Sequence, residues 1–385
     1  MQAWARSRET IRRAARIPFG MGSLLVALLG SRLGRQGQFS PEHVTAALYR
    51  GILDREPDLA GFADKIVLLH SGTLLEHVVR TFVTSPEFRS RCLQDLVPAV
   101  PIPDLTVSLP DKFERLLVRG TPMTVYVART DDDIALMTSL IDRHRFYDRF
   151  GVWSPLIDRD KEITAAIVRG LGAQSCFELG CFTGPVISLL ADAGVSVVGA
   201  EVSHLALAFA YPNVREVIMY GDLLALDIDR RFDVVLCMDV LEHISPLRLN
   251  QYIEKIVSIV NAEGFIYLNS PMWGSDDVFG TTEEPYLEEW LTVGDTSYWR
   301  HWPCDDKGWP THGHLIWASP TWWERKFAEY GLIRDRAVEQ VIHRRLARYF
   351  ELAPGRRSLF LLRRHESLTS SSVVATEVDA ALSKV

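Results

Sequence analysis

The chain has 385 residues, 47% hydrophobic and 24% charged, which supplies a sizeable core, allows two or three domains and excludes wholesale disorder. A net charge of −7 argues against nucleic acid as the main partner. Five scattered cysteines (Cys92, Cys176, Cys181, Cys237, Cys304) without a CxxC pair exclude a disulfide framework and a zinc ribbon, and suit a reducing compartment.

The charge is unevenly spread. Residues 1–38 hold seven Arg against Glu9, a balance of +6, which leaves −13 for residues 39–385. The run "IPFGMGSLLVALLG" in this arm is too short and too glycine-interrupted to span a bilayer, and no A-x-A-type cleavage site follows it. Two readings stay open for the arm: an interfacial helix in peripheral contact with anionic lipid, or a segment packed on its own protein.

Residues 39–96 read as a small helical domain. Ser40 is an N-cap with Pro41 at the first helical position, and Val44, Ala47, Leu48 and Ile52 follow at helical spacing. Thr73 and Glu76 have the capping-box spacing, ahead of Leu75, Val78, Val79 and Phe82. Asp54, Arg55, Glu56 and Asp58 read as a solvated turn with local ion pairs. The string "LYRGILDREPDLAGF…SGTLLEHVVRTFVTSPEFRSR" resembles a helical domain of unknown function found in bacterial surface-layer proteins and in enzymes of envelope glycan synthesis. That resemblance implies a context and a surface for a protein partner; it implies no chemistry.

Residues 97–145 read as a proline-punctuated linker and lead-in. From 146 to 364 strands and helices alternate: "SCFEL", "VSVVGAE", "REVIMYGD", "FDVVLCMD" and "GFIYLNS" as strands, with "PVISLLADAG" and "SPLRLNQYIEKIVSIV" among the helices. This order predicts an α/β fold with a parallel, doubly wound Rossmann-like sheet. "LIRDRAV" and "SLFLLRR" read as closing strands, and residues 365–385 as a flexible tail.

The loop "ELGCFTG" at 178–184 carries the cofactor question. Counted from Gly180, the second and third glycines of a dinucleotide fingerprint are replaced by Phe182 and Pro185, and Glu178 would repel a pyrophosphate. A cationic cofactor such as S-adenosylmethionine welcomes carboxylates instead. Glu201 ends the second strand, where it can accept both ribose hydroxyls, and Asp222 is placed for an adenine amino group. Asp239 ends the fourth strand.

Together "ELGCFTG", "GAE", "GDLLALD", "FDVVLCMDVLEHI" and "GFIYLNSP" look like the successive motifs of class I S-adenosylmethionine-dependent methyltransferases, over roughly residues 146–364. The resemblance implies a seven-stranded sheet with its last strand antiparallel. It places Glu178, Gly180 and Gly184 at the methionine end, Glu201 at the ribose and Asp222 at the adenine. Cys181, Phe182, Val202, Gly221, Leu223, Met238 and Asp239 complete the expected cofactor lining. "MDVLEHI" follows the metal-independent branch, and no catalytic metal is expected.

The stretch 271–318 is too long for a simple connection and holds six of the ten Trp, among them Trp273, Trp299 and Trp302. It can form its own aromatic core, a surface for the methyl acceptor, or both. Tyr147 and Trp153 in the lead-in, with Trp273, Tyr298, Trp299 and Trp302, are the candidate acceptor contacts. His312, His314 and His301, with His243 behind them, are the candidate bases; His243 reads first as a packing or hydrogen-bonding residue and only then as a base. The spacing of His301, His312 and His314 matches no standard metal pattern.

The function expected is O-methylation of a small-molecule or glycan acceptor, a sugar or glycan intermediate of bacterial envelope synthesis, in the cytoplasm or at the inner membrane face. The alternatives are O- or N-methylation of a natural product or lipid headgroup, and a degenerate fold serving as a scaffold.

Overall fold

The computed structural model describes residues 40–53, 55–71, 75–83, 85, 87, 102–118, 120–148, 157–282 and 300–385. The arm 1–38, Thr73, Cys92, Trp153, Tyr298 and Trp299 lie outside them. The chain divides into two compact units, one of residues 1–100 and 148–156, the other of 101–147 and 157–385. Among the described residues no helix is long and apolar enough to cross a membrane.

The first unit contains α1 (Pro41–Leu53), α2 (Leu59–His70) and α3 (Leu75–Val83). Leu48, Tyr49, Ile52, Val78, Val79 and Phe82 are buried, as their helical spacing requires, and Tyr49 meets Phe82 edge-to-face. Asp58 caps α2 by accepting from Gly61 N, and Arg55 bridges Asp58 and Glu87. The turn at 55–58 is therefore a local ion-paired corner.

The second unit is built on a seven-stranded sheet in the order β11-β12-β7-β6-β3-β4-β5. Its strands are β3 (Ser175–Leu179), β4 (Ser196–Glu201), β5 (Ile218–Tyr220), β6 (Phe232–Met238), β7 (Val260–Asn269), β11 (Leu332–Arg334) and β12 (Leu359–Arg364). Neighbours from β5 to β7 run parallel, and β12 is antiparallel to both β7 and β11. The expected doubly wound sheet with an antiparallel last strand is present.

Both faces of the sheet are covered, which is why β3 and β6 read as nearly continuous apolar runs. Along β6 the side chains alternate between two cores. Val235 and Cys237 join Phe177 and the helices α7 (Leu249–Ile259) and α8 (Pro320–Ala328). Val234 and Leu236 join Cys176 and the helices α5 (Arg159–Gly170), α6 (Pro185–Asp192) and α9 (Arg336–Arg345).

Two expectations need correction. Residues 365–385 are not a flexible tail. Ser371–Leu382 form α10, whose Val374, Val378 and Leu382 are buried in the second core. Gly170 of α5 lets the helices touch, since a Cβ there would stand 2.8 Å from Val378 Cα.

Nor are residues 97–145 mainly a linker. β1 (Phe113–Val118) and β2 (Thr121–Val127) form a hairpin, and β10 (His301–Pro303), from the far-off insertion, pairs antiparallel with β2. The helix α4 (Asp131–Arg143) covers this small sheet, entered by a Thr130/Asp133 capping box. Its core gathers Tyr126, Ile134, Met137, Phe146, Trp302, Trp309 and Leu315. Within the insertion, β8 (Ser275–Asp276) and β9 (Gly280–Thr281) make a minimal hairpin.

Candidate active site

The sheet changes winding direction between β3 and β6, so their carboxyl ends border the crevice where open α/β sheets bind ligands. Glu178 lies on β3, 5% exposed, and its Oε2 has no hydrogen-bond partner among the described residues. Burial pushes its pKa up to about 8, with nearby Glu201 adding to the shift. A buried carboxylate left half-satisfied is costly unless a donor or cation arrives.

After β3 the backbone turns on three residues with positive φ: Gly180 at +68°, Phe182 at +50° and Gly184 at +78°. Gly180 must be glycine, because a Cβ would lie 2.6 Å from Val240 Cγ2. Gly184 is the N-cap of α6 and Pro185 its first residue, an arrangement that leaves helix-end N–H groups facing the loop. The thiol of Cys181 is buried beside Gly199 of β4, whose lack of a Cβ makes the room for it.

Glu201, at the end of β4, clasps this loop. Its Oε2 accepts from Phe182 N at 2.8 Å, and its Oε1 from Val202 N at 2.8 Å and Ser203 N at 2.7 Å. Its backbone carbonyl accepts from Gly221 N, tying β4 to the turn after β5. Asp222 caps the next turn through Leu224 N and pairs with Arg248 at 2.8 Å. Leu223 is 1% exposed, its side chain buried in the first core.

Asp239, at φ +52° after Met238, pairs with Arg356, which also reaches Asp160 at 3.1 Å and Asn269 Oδ1 at 3.0 Å. Sequence reasoning missed Arg356. It lies 117 residues from Asp239, and nothing in "LAPGRRS" marks one arginine over its neighbour.

Three of the four candidate histidines come together. The rings of His243 and His314 are 4.8 Å apart, and those of His312 and His314 5.6 Å. His301 stands elsewhere, in β10 opposite Val127. Burial lowers the pKa of His243 to about 4 and that of His314 well below the usual imidazole value, so both rings are neutral. His312 is exposed and held at φ +57°. Tyr147 packs edge-to-face on His243, its hydroxyl 3.3 Å from the Gly313 carbonyl and 3.4 Å from that of His243.

The acceptor-facing aromatics are revised. Trp302 is 0% exposed, stacked on Tyr126 with its indole N–H bonded to the Leu315 carbonyl, so it is core. Trp273 is half-buried and donates to the Trp317 carbonyl. Trp309 and Trp317 are buried as well. The described tryptophans of the insertion therefore anchor it.

Residues 177–268 match the family model of a methyltransferase domain. Over 112 residues the chain is 30% identical to a ubiquinone biosynthesis O-methyltransferase of Pseudomonas fluorescens, a match covering 26% of this chain and 47% of that protein. The chain thus spans about half the length of this curated relative. Similar solved structures include an S-adenosylmethionine-dependent methyltransferase of Clostridium acetobutylicum, with 17% identity, 36% of this chain and 57% of that chain covered, and a TM-score of 0.27. Another is the S-adenosylmethionine-bound amino pentose methyltransferase CalS10 of Micromonospora echinaspora, with 15% identity, 58% and 96% covered, and a TM-score of 0.36.

Proposed function

We propose that this chain is an S-adenosylmethionine-dependent methyltransferase that acts on a hydroxyl of a sugar or glycan intermediate of bacterial envelope synthesis, in the cytoplasm. The observation that carries the reading is Glu178: a buried carboxylate with an unused oxygen, beside a glycine turn, at the switch point of a sheet whose residues 177–268 match a methyltransferase domain. The donor set fits the cofactor. Glu178 would hold its ammonium, Glu201 and the Gly180–Gly184 turn would border its ribose and methionine parts, and Asp222 would stand near its base.

When bound, S-adenosylmethionine supplies a methyl group on a positively charged sulfur. The protein's task is then to align the acceptor and exclude water, which can supply several kcal/mol of barrier lowering. A hydroxyl acceptor also sheds a proton. His312 is the exposed member of the histidine cluster and is the residue we assign to take it, with neutral His243 and His314 and the Tyr147 ring forming the wall behind. A positioned base of this kind is worth about 10²–10⁴-fold in rate.

The glycan half of the reading rests on the resemblance of residues 39–90 to envelope-glycan proteins, since the described tryptophans of the insertion are anchors. The match to an enzyme of ubiquinone biosynthesis favours a second reading, a small natural product or lipid as the methyl acceptor. Incubating the protein with methyl-labelled cofactor and fractionated cell extract separates the two. Label in envelope-glycan precursors supports the first reading, and label confined to small lipophilic molecules supports the second. Failure of the cofactor to bind in calorimetry would overturn both.

A further inference from the structure

We infer that Glu242, His243 and His314 form a binding site for one divalent ion of the zinc class, held by a carboxylate and two imidazoles. One ligand atom from each residue lies within 4.8 Å of the other two, and Glu242 Oε1 is 4.0 Å from His243 Nε2. Tetrahedral ligands at zinc distances of about 2.1 Å stand roughly 3.4 Å apart, so the side chains must close by up to about 1.4 Å to share an ion.

Two buried atoms of this cluster have no hydrogen-bond partner among the described residues, Glu242 Oε1 and His314 Nδ1. Glu242 is 0% exposed. Glu242 Oε1 and His243 Nε2 make no direct hydrogen bond, because 4.0 Å is beyond hydrogen-bond reach. A shared cation satisfies both orphans at once.

The supporting contacts are those that ligands of a metal usually make. His243 Nδ1 lies 3.1 Å from the Gly313 carbonyl, an acceptor that puts the ring proton on Nδ1 and makes Nε2, 4.0 Å from Glu242 Oε1, the ligand atom. Ser270 Oγ donates to Glu242 Oε2 at 3.1 Å, leaving Oε1 as the ligand oxygen. The Glu242 carbonyl accepts from Leu315 N at 2.7 Å and Ile316 N at 3.0 Å, so the segment bearing His314 is fastened to the one bearing Glu242.

Two nitrogens and one oxygen select zinc or a similar transition ion over Mg²⁺ and Ca²⁺, which take oxygen shells. Three protein ligands also leave a fourth position for a water or hydroxyl, the pattern of catalytic zinc sites. This differs from the expectation drawn from "MDVLEHI", which was of no catalytic metal; the grouping with His314, about seventy residues further on, is visible only in the fold.

The test uses the full chain, stripped with a chelator and titrated with zinc against a chromophoric competitor, and with cobalt followed by its visible d–d bands. We expect one ion per chain and a tetrahedral cobalt spectrum. Glu242→Gln and His314→Ala should abolish both, His314→Cys should restore binding with a thiolate-to-cobalt band, and Ser270→Ala should weaken zinc by about 10–100-fold. No stoichiometric binding, or binding unchanged in Glu242→Gln and His314→Ala, would overturn the site. Cofactor calorimetry on each variant reports folding independently and leaves the methyltransferase reading to stand or fall on its own.

Discussion

Phe182 hangs from Glu201: its amide donates to the Glu201 carboxylate at 2.8 Å while its own backbone sits at φ +50°. The conformation that the missing glycine of the loop would adopt freely is thus imposed on a phenylalanine by a carboxylate 19 residues away. For an L-residue this conformation costs roughly 1–2 kcal/mol.

The first prediction follows from that pair. Phe182→Gly relieves the strain and keeps the amide, so cofactor affinity should change little. Gly180→Val adds strain of about 1–3 kcal/mol and drives a methyl into Val240, so binding should be lost. Calorimetry with the demethylated cofactor product on both variants checks this, and a tolerated valine at 180 would refute the account of the loop.

Glu178 predicts a pH dependence with a definite sign. Its folded-state pKa is raised from 4.5 to about 8, so the folded protein holds a proton that the unfolded chain releases. Its favourable contribution is complete below pH 4.5 and is lost as pH rises through 8. Melting of the cofactor-free protein should therefore fall across this window, and Glu178→Gln should flatten the fall. A bound ammonium reverses the preference, so cofactor affinity should rise with pH over the same window in the native protein and not in the variant.

Trp302 should behave as core. Trp302→Ala is expected to cost about 3–5 kcal/mol in chemical denaturation. In whatever fraction stays folded, the acceptor KM should be unchanged. A selective rise in KM at normal stability would return Trp302 to the acceptor surface.

Helix α10 should be needed for stability. A chain ending at residue 369 uncovers the places of Val374, Val378 and Leu382, each worth about 1.5–3 kcal/mol when buried, so a loss of about 5 kcal/mol is expected. Unchanged melting of the shortened chain would show that the helix contributes nothing.

What could be read in advance followed local chemistry. Parallel strands buried on both faces announce themselves as apolar runs, and the acidic strand ends Glu178, Glu201 and Asp239 mark where those runs stop. Helix α10 was misread because its Ser/Thr-rich approach resembles disorder, although Val374, Val378 and Leu382 already stand at i, i+4 and i+8. The Trp-rich insertion was ambiguous for a different reason, since a buried anchor and a stacking platform use the same residue. The β2–β10 pairing was out of reach. A three-residue strand containing Pro303 carries no pattern that could assign it to a hairpin about 175 residues earlier.

That pairing has a consequence for how the chain folds during synthesis. The β1–β2 hairpin is made first, but the strand that covers the open side of β2 emerges only after β3 through β7 have been translated. Until then β2 presents an unpaired edge and the rings around Tyr126 lack their Trp302 partner, the kind of exposed edge and apolar surface on which nascent chains aggregate. Docking of β10 closes a loop that encircles β3 through β7, so the small sheet acts as a late clasp. Its assembly should report that strands β3 through β7 are already in place.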